Sequence, residues 1–134
     1  MDDFQKILDI TFPFVETLLK DYREFYPLAS VVNNKGNVEQ FLREEDPEND
    51  FPKSTTVVGE LKKSLRWNQN QFVAFAIFQD VFLKEMEIDA IAVLVEHKLE
   101  KKAFTFYYPY KIVQDRLEFL DSWKTEEDIS VFNV

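Results

Sequence analysis

Phe72-Val-Ala-Phe-Ala-Ile-Phe78 and Ile88-Asp-Ala-Ile-Ala-Val-Leu-Val95 decide the fold. Both runs are apolar on both faces, too short for buried helices and rich in β-branched and aromatic residues. They read as central strands of a sheet covered on at least one side. A third run, Ala103 to Ile112, follows after a short charged segment, His97 to Lys102. Three strands joined this closely are antiparallel, because a parallel crossover needs a dozen or more residues.

Working outward, Asp2 to about Tyr26 has apolar residues near a helical period: Phe4, Ile7, Leu8, Phe14, Val15, Leu18 and Leu19. Asp2 or Asp3 is placed to cap it. Pro13 predicts either a kink or the start of a second helix, and Tyr26-Pro27 predicts its end. Leu28–Val32 and Val38–Leu42 flank Asn33-Asn34-Lys35-Gly36, a hairpin turn with a glycine bulge. A second helix is expected from Ser54 or Thr55, with Val57, Val58, Leu61 and Leu65 as its apolar stripe. Gly59 within it suggests a close helix–sheet contact. Leu117 to Trp123 reads as a last strand turning back across Gln114-Asp115-Arg116, and Ile129–Phe132 as a short tail. The expectation is one α+β domain over residues 1–134. It has an N-terminal helix, a β-hairpin, a second helix, then three or four antiparallel strands in one sheet with the helices packed on it.

The chain has 134 residues, enough for a core without disulfide or metal staples. It contains no cysteine, which excludes thiolate chemistry and cysteine-ligated metals. Net charge is −9, which argues against nucleic-acid binding and favours a partner with a basic surface. Met1-Asp2-Asp3-Phe4 carries no basic leader, and Phe72–Phe78 is too short to span a bilayer. The expectation is a soluble, cytoplasmic protein with no membrane contact.

Chemistry is sparse. Glu96-His97 holds the only histidine; neighbours on a strand face opposite ways, so the two cannot act together on one atom. The candidates for a catalytic role are Glu96, His97 and Tyr110, and no catalytic set is assigned. Glu44, Glu45, Asp46, Glu48 and Asp50 form an acidic loop without calcium-loop spacing, so no metal is expected. That loop is instead a candidate docking element for a basic protein. Lys102-Ala-Phe104-Thr-Phe106-Tyr107-Tyr108 shares an aromatic strand with RNA-recognition domains but lacks their glycine, and the charge has the wrong sign. On that strand Phe104, Phe106, Tyr108 and Tyr110 share one face, while Thr105 and Tyr107 share the other. Tyr107 is the candidate binding residue if its face lies open. Two glycines in total exclude phosphate loops and dinucleotide fingerprints, and no cofactor is expected.

Phe25-Tyr-Pro with its strand, the Gly36 turn, Asp89-Ala-Ile-Ala-Val-Leu-Val-Glu-His97 and Pro109-Tyr110 resemble a family of small bacterial proteins with the same order of short motifs. The element order is similar to profilin- and roadblock-like domains. The resemblance implies no activity, cofactor or catalytic residue. It implies that Glu96, His97, Pro109 and Tyr110 belong to one local structure, with His97 near Tyr108 or Tyr110. The leading functional expectation is a non-enzymatic interaction module, immunity-type in one version and homodimeric in another. The alternatives are a small-molecule sensor with a pocket between helices and sheet, and a hydrolase centred on Glu96 and His97.

Overall fold

A computed structural model describes residues 2–41 and 53–132. Two helices, α1 (Asp2–Tyr22) and α2 (Ser54–Trp67), pack against a curled antiparallel sheet. Its strands are β1 (Leu28–Asn33), β2 (Val38–Phe41), β3 (Phe72–Leu83), β4 (Ile88–His97), β5 (Lys102–Val113), β6 (Arg116–Phe119) and β7 (Trp123–Glu126). The spatial order is β2-β1-β3-β4-β5-β6, with β7 also on β5. The α+β class is as the sequence predicts.

The double-sided apolar runs have a direct cause: a helix covers each face. Ala74, Ala76 and Phe78 of β3 join Ile91, Val93 and Val95 of β4 beneath Phe4, Ile7, Val15 and Leu19 of α1. Phe75 and Ile77 point the other way, onto Val57, Leu61 and Leu65 of α2. The small residues Ala74 and Ala76 sit on the α1 side with Phe78, and Phe72 and Phe75 fill the α2 side. Helix α2 lies mainly over β1 and β3, and Lys62 of α2 borders a shallow hollow over β4 and β5.

Pro13 does not divide the first helix, which runs unbroken from Asp2 to Tyr22. The proline is exposed, where water can replace the lost backbone hydrogen bond. The helix stops before Tyr26-Pro27: Arg23 adopts a left-handed φ of 62°, and its N–H donates to the Leu19 carbonyl at 2.8 Å. Ser54 and Thr55 do not cap α2. Lys53 occupies the cap position without a side-chain hydrogen bond, and Ser54 is the first helical residue. The hairpin turn is as expected, with Gly36 at φ 86° and Asn33 Oδ1 accepting from the Lys35 and Asn37 amides.

Gly59 is not a helix–sheet contact. It is exposed, and a Cβ built on it meets nothing within 4 Å. Gly59→Ala should therefore raise the unfolding free energy by about 0.5–1 kcal/mol through helix propensity alone. Urea denaturation checks this, and a loss of stability would contradict it.

Five strands follow α2, rather than three or four, because the last is split. Tyr110 pairs with Phe119 and Tyr107 with Trp123, so three residues on the outer strand oppose two on β5. Pro109 lies between those pairs. Its carbonyl accepts from Leu120 N–H at 2.9 Å, but it has no N–H to return the bond. A residue in an antiparallel strand points both groups at the same neighbour, so the ladder opens there and bulges.

Candidate functional site

The Glu96, His97 and Tyr110 constellation does not form. His97 pairs with Lys102, and Tyr110 pairs with Asp89 at the opposite end of the same two strands. The expectation that His97 reaches Tyr108 or Tyr110 is corrected by this register: in an antiparallel pair the end of one strand meets the start of the next. Glu96 and His97 face opposite sides of the sheet, as their adjacency requires.

Each has its own partners. His97 Nδ1 accepts the Glu100 amide at 3.2 Å, so Nε2 carries the proton and donates to Asp3 Oδ2 at 2.7 Å. This ties β4 to the first turn of α1, with Phe4 edge-on to the imidazole. Glu96 is 0% exposed. Its carboxylate accepts from Ser130 N–H, Ser130 Oγ, Val131 N–H and Phe132 N–H, at 3.0, 2.6, 3.0 and 3.4 Å. Arg66 Nη2 donates to the Ser130 carbonyl at 2.8 Å from the other side. The tail is thus docked. Val131 and Phe132 are buried against Phe72 and Phe75. Glu96 and His97 hold the fold's two ends.

Tyr107 lines a shallow hollow with Val81, Leu83, Ala92 and Leu94, bordered by Lys62 of α2, and stacks on Trp123 at 5.3 Å between ring centroids. It is half-buried. Glu44, Glu45, Asp46, Glu48 and Asp50 lie outside the described residues.

A different group stands out on the α1 face. The alternation that buries Ala74, Ala76 and Phe78 continues one step to Asp80, which places an acid toward the end of α1. Tyr110 reaches it across β4, its hydroxyl donating to Asp80 Oδ1 at 2.6 Å. After the Arg23 cap the chain continues without regular structure through Glu24, Phe25 and Tyr26. These residues, with Leu18, Tyr22 and Ser54, enclose a cavity of about 460 Å³ over Asp80. Arg23 itself is turned away onto Asp115, at 2.8 Å.

Burial pushes the Asp80 carboxyl up to about 6, against the opposing pull of the Tyr110 hydrogen bond; Asp89 and Glu24 raise it further. Burial, with Asp80 as its acceptor, pushes the Tyr110 phenol well above its ordinary value, so it stays a donor. Among the described residues the charges acting on Asp80, those of Asp89 and Glu24, are negative, and the α1 C-terminus adds the negative end of its dipole. The cavity is therefore electronegative and walled by aromatic rings. Among the described residues no group of three histidines, aspartates or glutamates is arranged to hold a metal ion. No helix among them is long and apolar enough to cross a membrane.

The raised Asp80 value fixes a sign. A carboxyl that holds its proton more tightly when folded favours the folded state at low pH. That advantage is lost as pH rises from about 4 through about 6. Solvent screening of this partly exposed group holds the effect to about 1–2 kcal/mol. Asp80→Asn keeps an acceptor for Tyr110 and removes the charge. It should be more stable than wild type by that amount near pH 7.5 and no more stable near pH 4. Thermal melts at the two pH values decide it; an equal gain at both would contradict the account.

Asp80 was not among the residues singled out from the sequence. The available signal was its parity with Ala74, Ala76 and Phe78, which marks an acid on a buried face. No family model, no curated protein and no solved structure matches the chain.

Proposed function

We propose that this chain is a non-enzymatic interaction module that captures a partner with a basic surface, anchored at the Asp80 cavity. One observation carries the reading: a partly buried carboxylate, repelled by Asp89 and Glu24 among the described residues, faces an open, aromatic-walled cavity. A cation supplied by a partner would relieve that repulsion, and the net charge of −9 would steer a basic protein toward it. The candidate residues Glu96 and His97 are committed to tail and helix, which favours binding over catalysis. An immunity-type protein covering a basic nuclease site is one form of this reading; a toxin gene immediately upstream would support it. The hollow around Tyr107 offers a second contact area for the same partner or for a second copy of the chain.

Affinity capture from the native host, with wild type and Asp80→Asn as baits, tests the proposal. The expected result is a basic protein retained by wild type at low salt and lost from the variant. Because Asp80→Asn is expected to be the more stable fold, such a loss cannot come from unfolding. Equal retention by both baits would remove the cavity from the interface.

A small-molecule sensor is a second reading, favoured by the cavity volume, which falls in the usual range of about 300–1,000 Å³ for ligand sites. A metabolite that raises the melting temperature of wild type but not of Asp80→Asn would favour it over a protein partner.

A further inference from the structure

The geometry points to the Asp80 cavity as a socket for one alkylammonium group, that of a lysine side chain presented by the partner; this rests on the binding reading above. The argument starts from which acceptor atoms remain. Tyr110 donates to Asp80 Oδ1, so a fork on this carboxylate would have to share that oxygen with the phenol, whereas Oδ2 has no such donor. A guanidinium is held best by two oxygens of one carboxylate, in a planar fork. A primary ammonium is a compact charge with three separately directed donors. Asp80, Glu24 and Ser54, three residues with separate acceptor oxygens, all line the one cavity. That set suits an ammonium better than a fork.

The walls match the rest of a lysine. Its four-carbon stem needs apolar surface, which Leu18 and Phe25 provide. The rings of Tyr22 and Tyr26 line the same cavity and suit a cation within it. Among the described residues the charges that act on Asp80 are those of Asp89 and Glu24, and Arg23, next to Glu24 in the chain, pairs with Asp115. Entry of a cation favours the ionised carboxylate, so binding should strengthen as pH rises through about 6.

Chemical-shift titration of the full chain with butylammonium, butylguanidinium, N-acetyl-lysine amide and cadaverine, all as chlorides, tests this. Saturable shifts at Tyr22, Ser54 and Tyr110 are expected with butylammonium and N-acetyl-lysine amide. Binding should be weaker for butylguanidinium, and weakened on the order of tenfold by Asp80→Asn. It should also be tighter near pH 7.5 than near pH 5. Butylguanidinium binding as tightly as butylammonium would overturn the lysine assignment while leaving the cation-binding reading intact. Cadaverine binding about tenfold more tightly than N-acetyl-lysine amide would make the ligand a free diamine instead. No saturable shift with any of the four would overturn both the inference and the reading beneath it.

Discussion

Glu96→Ala should lower the unfolding free energy by on the order of 3–5 kcal/mol. The substitution leaves three backbone N–H groups and the Ser130 hydroxyl without their acceptor. Each orphaned donor that stays buried costs about 1–3 kcal/mol. The tail can escape part of that cost only by undocking, which surrenders the burial of Val131 and Phe132. Either route is expensive, and most of a domain's net stability is at stake. Glu96→Gln keeps the shape but has one acceptor oxygen in place of two, so it should fall between wild type and Glu96→Ala. Urea denaturation gives the ranking, and amide exchange at residues 130–132 reports the tail. Wild-type stability in Glu96→Ala would mean the carboxylate does not hold the tail.

Phe132→Ala should cost about 3–5 kcal/mol, the usual range for emptying a buried phenylalanine site. The ring is 1% exposed and lies 5.5 Å from Phe72 and 5.7 Å from Phe75 between centroids. Its neighbours are strand residues whose backbones are fixed by the sheet, so the cavity can collapse little. The substitution keeps every Glu96 hydrogen bond, because those come from the backbone and Ser130. The two variants therefore separate packing from polar anchoring. If the tail acts as one unit, the double variant should cost less than the sum of the singles. Full additivity would show that the two contributions are independent.

The sheet was legible because its central residues are apolar on both faces. Phe72–Phe78 and Ile88–Val95 could be nothing but interior strands, and Asn33–Gly36 named its own turn. Strand β3 is longer than its run, since Gln79–Leu83 mixes polar and apolar residues and gives no clear end point. The split outer strand comes from a missing N–H at Pro109, a property of pairing that is invisible until register is known. Gly59 misled because a glycine on the exposed side of a helix has the same letter as one at a contact.

The candidate site was less legible, for a geometric reason. Glu96 and His97 attracted attention as adjacent titratable groups, yet each finds its partners far away in sequence, at Ser130–Phe132 and at Asp3. Tyr110 belonged to a different group, with Asp80, thirty positions away. Pairings of that separation depend on which strands become neighbours. The parity of Asp80 could have been read; its proximity to Glu24 and the end of α1 could not.

Carbon-13 NMR titration of the Asp80 side-chain carboxyl, without and with added butylammonium chloride, tests the central claim most directly. The account predicts a midpoint near 6 for the free protein and a lower midpoint when the cation is present. A midpoint near the ordinary value of about 4, unmoved by the cation, would contradict it.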